Sequence, residues 1–190
     1  MTKSRLEAFS DGVLAIIITI MVLELHAPEG DSLAALRQLI PTFLGYGLSF
    51  IFVGIYWNNH HHLFQAVRVV DGRVLWANLH LLFWLSLVPF ATAWMGDSGF
   101  SGWPVAFYGT VLLLAGAAYY LLVRTLLARH PQDSVLARAI GADAKGRLSL
   151  VLYALAIVLA VGQPLWSCAL YVLVAIIWLV PDSRIERHLR

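Results

Sequence analysis

R-L-E-A-F-S-D-G-V-L-A-I-I-I-T-I-M-V-L, Arg5 to Leu23, reads as a membrane helix that opens with charge. Its later part is almost wholly apolar, and about 20 such residues carry a helix across a bilayer. An aspartate costs roughly 2.5–3.5 kcal/mol at the centre of such a span by insertion scales, and less near its end. Asp11 therefore demands an account, and two readings stand. As an intramembrane ionisable group it is a functional-site candidate, with Arg5 as a nearby partner. As part of a helix start at the membrane surface, Ser10 and Asp11 would cap the first turn.

The rest of the chain has a bilayer composition. Of its 190 residues, 60% are hydrophobic and only 13% charged, where soluble domains run nearer 45–50% and about 25%. The mean hydropathy is +0.77. A net charge of +2 gives no indication of a nucleic-acid partner, because the basic residues lie near helix ends, where membrane topology explains them. Cys168 is the one cysteine and cannot form an intrachain disulfide. Lys3 and Arg5 resemble the start of a signal peptide, but Glu7 and Asp11 interrupt what would have to be apolar, so none is expected.

Six spans are expected, at about 6–25, 36–60, 74–95, 103–127, 148–163 and 165–180. The last two are short, and Gly162-Gln163-Pro164 separates them by weakening the helix and removing a backbone donor. Charge agrees with the split. Lys3, Arg5, Arg68, Arg73, Arg124, Arg129, Arg138, Lys145, Arg147, Arg184, Arg187 and Arg190 fall on one side, 12 of the 13 basic residues, with Arg37 alone opposite. The positive-inside rule then places both termini in the cytoplasm of a multi-pass cell-membrane protein. The outer connections carry Glu29, Asp31 and Asp97, and the inner one, about 128–147, has room for a short surface helix. Residues 1–190 read as a single all-α domain without repeats.

At 100° per residue, Phe9, Ile16, Ile20 and Leu23 share one stripe of the first helix, with Thr19 at its border. Asp11 points elsewhere, with Ala15, Ile18 and Val22. An apolar stripe in a membrane helix is by itself ordinary lipid-facing or packing surface. The second span ends W-N-N-H-H-H, Trp57 to His62. Adjacent helical residues lie 100° apart and cannot converge on one ion, so no metal site is expected. Trp57 and His60, three apart, instead share a face that can hydrogen-bond to a neighbouring helix. Asn78 in the third span needs partners in hydrocarbon, and it is a candidate to join Asp11, Ser10, Arg5 and His60 in a polar cluster. Gly45-Tyr46-Gly47 matches the end of a T-V-G-Y-G filter but sits inside a span, and reads as small residues permitting close packing. No Walker loop, G-x-S-x-G or H-E-x-x-H is present, and neither enzymatic activity nor a cofactor is expected.

R-x-x-x-F-S-D at Arg5 to Asp11 resembles the signature that opens the first helix of the transmembrane protein 175 family of potassium channels. Trp57-Asn58-Asn59-His60, followed by Leu63-Phe64-Gln65, looks like that family's W-x-x-H, and Asn78-Leu79 and Pro89-Phe90 look like its third-helix elements. The resemblance covers about the first half of the chain. It implies a six-helix unit, present once in prokaryotic members and twice in animal ones, and hence a homotetramer whose four first helices line a central pore. It also implies a pore constriction at Ile16, an apolar seal continued by Ile20 and Leu23, and a contribution of Thr19 to potassium preference. Arg5, Ser10, Asp11, Trp57, His60 and Asn78 would form a structural polar network, with Phe9 in the signature beside it. The permeant species would be the potassium ion among monovalent cations, and the partners the lipid bilayer and identical copies. Two other classes remain: a small proton-coupled secondary transporter using Asp11 and a histidine, and a non-conducting membrane assembly subunit.

Overall fold

The computed structural model describes residues 2–67, 70–128 and 144–179. Every regular element among them is helical: α1 (Lys3–Leu23), α2 (Leu33–Gln38), α3 (Ile40–Gln65), α4 (Gly72–Ser86), α5 (Val88–Asp97), α6 (Gly102–Leu127), α7 (Ala144–Ala160) and α8 (Pro164–Leu179). The ends follow local chemistry. Ser32 caps α2 by accepting from the Ala35 amide at 3.2 Å, and Asp71 caps α4 by accepting from Val74 at 3.0 Å. Proline opens α3 and α5, where its missing N–H costs nothing.

Four stretches are long and apolar enough to cross a membrane: Lys3–Leu23, Ile40–Gln65, Gly72–Asp97 and Gly102–Leu127. α7 and α8 have 17 and 16 residues, about 25 Å at 1.5 Å per residue, slightly less than the roughly 30 Å of hydrocarbon. Two details differ from the sequence reading. The second span does not begin near residue 36, because α2 is a separate capped turn that ends at Leu39. The third span is interrupted at Leu87, where the backbone tightens to a Leu87 N to Trp84 O bond of 3.2 Å just before Pro89. The expected helix in the 128–147 connection, and Arg68, Arg129, Arg138, Arg184, Arg187 and Arg190, lie wholly or mainly outside the described residues.

α6 is the central helix. It packs on α4, α5, α7 and α8, while α1 lies across α3, α4 and α5. Lipid is as apolar as leucine, so apolar burial does little to hold such helices together; close packing and interhelical hydrogen bonds do more. Both are present around α6. At Gly102 a Cβ would meet Ala160 O at 2.9 Å, and at Gly109 it would meet the Tyr171 ring, Cζ at 2.7 Å. That ring is locked in turn: the Tyr171 hydroxyl donates to Val105 O at 3.0 Å. Gly45 is buried against Thr92 and Met95, but Gly47 faces open space, so only half of the expected small-residue contact at 45–47 is made.

A buried run of hydroxyls ties α3, α5 and α6. Ser49 Oγ lies 3.0 Å from the Tyr108 hydroxyl and 2.6 Å from Thr92 Oγ1, which reaches Val88 O at 2.7 Å. The Thr92 hydroxyl is the donor toward both Ser49 Oγ and Val88 O, shared between the two acceptors. The run anchors α5 one turn beyond the break at Leu87.

Candidate functional site: the first helix and its polar anchors

α1 divides cleanly by face. Leu6, Ser10, Leu14, Ile17 and Met21, spaced by three and four, are buried against the rest of the chain. On the remaining surface, Phe9, Ile16, Ile20 and Leu23 are exposed, Ile16 by 58% and Leu23 by 75%. Thr19 is exposed beside them, and its hydroxyl donates to Ile16 O at 2.8 Å. That donation leaves the oxygen lone pairs available on the exposed side.

The buried face of α1 ends in a hydrogen-bond chain. Ser10 Oγ donates to Leu6 O at 2.9 Å and accepts from Asn78 Nδ2 at 2.9 Å. Asn78 Oδ1 lies 2.8 Å from His60 Nε2. The amide oxygen only accepts, so His60 holds its proton on Nε2. The His60 ring also stacks on Phe64, with centroids 4.5 Å apart. One chain thereby joins α1, α4 and α3, and Ser10, His60 and Asn78 are all buried.

Asp11 belongs to a different contact. Its Oδ1 accepts from Trp57 Nε1 at 3.1 Å, on the exposed side of α1 and α3. The Trp57 ring stacks on His61 at 6.2 Å, and His61 Nε2 accepts from Gln65 Nε2 at 2.9 Å. The expected single cluster is thus two: a buried chain through Ser10, Asn78 and His60, and an outer pair, Asp11 with Trp57. Arg5 joins neither among the described residues; it is exposed near the helix start. Ser10 and Asp11 do not cap a first turn, because α1 starts after Thr2, two turns earlier. The three histidines meet different neighbours: His60 faces α4, His61 lies between Trp57 and the His62 ring, and His62 Nδ1 is buried without a hydrogen-bond partner among the described residues.

Comparison with known proteins decides the family. A family model described as "Endosomal/lysosomal potassium channel TMEM175" matches residues 5–89. A potassium channel of Chryseobacterium sp. (strain P1-3) is 55% identical over 190 residues, covering 100% of this chain and 99% of that one. The chain belongs to the TMEM175 family. The endosomal/lysosomal proton channel TMEM175 of Mus musculus is 36% identical over 103 residues, 48% of this chain and 21% of that one. The crystal structure of a lysosomal potassium-selective channel TMEM175 homolog from Chamaesiphon minutus superposes with a TM-score of 0.81 at 27% identity, covering 95% of this chain and 97% of that chain.

The segment matched by the family model runs from α1 to the start of α5. It therefore holds every residue of the chain through Ser10, Asn78 and His60, and of the Asp11–Trp57 pair. Two side chains of the R-x-x-x-F-S-D stretch, Ser10 and Asp11, thus fasten α1 to α4 and α3. The hydroxyl run through Ser49, Thr92 and Tyr108 escaped the sequence reading. Ser, Thr and Tyr in apolar spans were its only trace.

Proposed function

We propose that this chain is a potassium-permeable cation channel of the cell membrane, a homotetramer with six spans per chain and both termini cytoplasmic. Residues 1–190 form its single channel domain, and the four α1 helices line the pore. One observation carries this reading. α1 is fastened by polar bonds along one side, yet leaves Phe9, Ile16, Ile20 and Leu23 exposed on the chain's surface. Closed rings are the common way identical subunits cover such a face, and four copies would enclose a path where a single chain encloses none.

In that arrangement a ring of four Ile16 side chains closes the path by dewetting, with Ile20 and Leu23 extending the seal. Opening widens or rotates the ring until hydrated ions pass. Potassium is favoured over sodium because its hydration shell distorts more readily, and the outward lone pairs of Thr19 replace part of that shell. Ser10, Asn78 and His60 with Asp11 and Trp57 hold α1 at a fixed angle and do not touch the ion. No T-V-G-Y-G loop takes part, since Gly45-Tyr46-Gly47 lies within α3. The permeating potassium ion is substrate, and no cofactor or enzymatic step enters.

The test is current from purified protein in planar bilayers. Unitary potassium currents larger than sodium currents are expected, and Ile16→Asn should raise the leak by letting the constriction hold water. Wild-type conductance in Ile16→Asn would remove this residue from the pore. The animal relatives' description as proton channels favours testing protons as a second permeant species. A reversal potential that follows an imposed pH gradient at fixed potassium would establish it, and saturable exchange without unitary events would mark a transporter.

A further inference from the structure

Away from α1, the crossing of α3, α6, α7 and α8 encloses a half-open cavity of about 50 Å³. Its walls are aromatic, formed mainly by Phe52, Tyr56, Tyr119, Tyr153 and Trp178, with Gly116 in the lining against Leu150. Tyr56 and Tyr119 meet edge to face with centroids 6.2 Å apart, and Phe52 and Tyr153 lie 6.3 Å apart. Three oxygens in this wall are unpaired among the described residues. Tyr56 and Tyr153 are at least nine-tenths buried as residues, and neither hydroxyl has a hydrogen-bond partner among the described residues. Asn59 spends its Nδ2 on Ile55 O at 2.8 Å and its backbone carbonyl on Tyr119, leaving Oδ1 over. Ser149, by contrast, is used: it donates to Lys145 O and accepts from Trp178 Nε1 at 2.8 Å.

We propose that this cavity binds the ammonium group of a primary amine, its three N–H donors meeting Tyr56, Tyr153 and Asn59 Oδ1 within the aromatic wall. The stoichiometry matches, since an ammonium group has three donors and no acceptor. Ring faces carry negative quadrupole density that attracts a cation, which compensates part of its desolvation. Donor count selects the class: a primary ammonium offers one N–H to each of the three oxygens, and a tetramethylammonium head offers none. No lysine or arginine is in the lining, which disfavours anions, and with no carboxylate there the three neutral oxygens and the ring faces must offset the charge by themselves. The amine is either free or the aminoethyl headgroup of a membrane lipid.

The full chain, purified in detergent, is titrated with n-butylammonium chloride at constant ionic strength while thermal unfolding is followed. A saturable rise in Tm is expected, absent with tetramethylammonium and with n-butanol. Tyr56→Phe/Tyr153→Phe removes two of three acceptors, and bonds to charged groups are worth about 1.5–3 kcal/mol, so the apparent Kd should rise at least tenfold. Gly116→Ala keeps the oxygens but places a methyl 3.2 Å from Leu150 Cδ2, the flexible end of a side chain, and 3.7 Å from the Tyr56 hydroxyl; it should weaken binding too, and it serves if the double variant fails to fold. Repeating the titration in phosphatidylglycerol nanodiscs with and without phosphatidylethanolamine separates the sources: competition identifies the lipid headgroup, and none identifies a free amine. No saturable response, equal binding of n-butanol, or an unchanged Kd in either folded variant overturns the proposal. The readout is binding, so it stands or falls apart from the pore reading.

Discussion

Asn78→Ala tests whether the chain from Ser10 to His60 holds α1 in place. The substitution deletes two interhelical bonds, to Ser10 at 2.9 Å and to His60 at 2.8 Å. Such bonds in membrane proteins average about 0.6 kcal/mol and reach about 1.7. Two of them give a loss of about 1–3.5 kcal/mol, with the upper end favoured because His60 Nε2–H is left buried and unpaired. Ser10→Ala removes one of the two and should cost less. The informative quantity is the coupling in the cycle Ser10→Ala, Asn78→Ala and the double variant, expected at about 0.6–1.7 kcal/mol. The assay is reversible unfolding in mixed micelles, with SDS fraction as the denaturant and circular dichroism as the probe. Strictly additive losses would mean that the Ser10–Asn78 contact carries no energy, and the argument for α1 as an anchored helix would fail with it.

Thr19→Val should keep packing while removing one hydroxyl per subunit; a lowered potassium-to-sodium permeability ratio is expected, and an unchanged reversal potential in mixed salts would confine Thr19 to its bond with Ile16 O. Asp11→Asn keeps an acceptor for Trp57 but drops the charge, so oligomer yield on size exclusion should fall more than ion preference changes. Normal tetramers with altered selectivity would place Asp11 in the ion path. Gly109→Ala drives a methyl into the Tyr171 ring, with Cζ at 2.7 Å, and overpacking of this kind costs about 1–3 kcal/mol; Tyr171→Leu in the same chain should recover part of it, and wild-type stability of Gly109→Ala alone would contradict the packing described.

Long apolar runs made the spans near 6–25, 36–60 and 103–127 readable, because in hydrocarbon such a run satisfies its backbone groups only as a helix. The break at Leu87 was less readable. Pro89 was visible, but an X-Pro pair within a membrane span either kinks or passes unnoticed, depending on what neighbouring helices supply. Here Thr92 gives Val88 O a partner, and that partner chain comes from α3 and α6. For the site, the residue types Ser10, Asp11, Trp57, His60 and Asn78 were legible as groups that need partners. Which pairs form was not, since helical spacing fixes faces and leaves open which neighbour a face meets. Trp57 and His60 illustrate the gap: three apart on α3, they bond to different helices, α1 and α4.

The Asp11–Trp57 contact also sets an order of events during synthesis. The two residues are 46 apart, and at about 5–20 residues per second Trp57 emerges roughly 2–9 s after Asp11. Asn78 follows later still. During that interval α1 holds a carboxylate with no indole to receive it, beside a serine whose only partner is its own Leu6 carbonyl. A helix in that state is better kept in the wet, protein-lined mouth of the insertion machinery than released to lipid. The first helix translated is therefore the one whose polar side chains wait for partners from two later helices, α3 and α4.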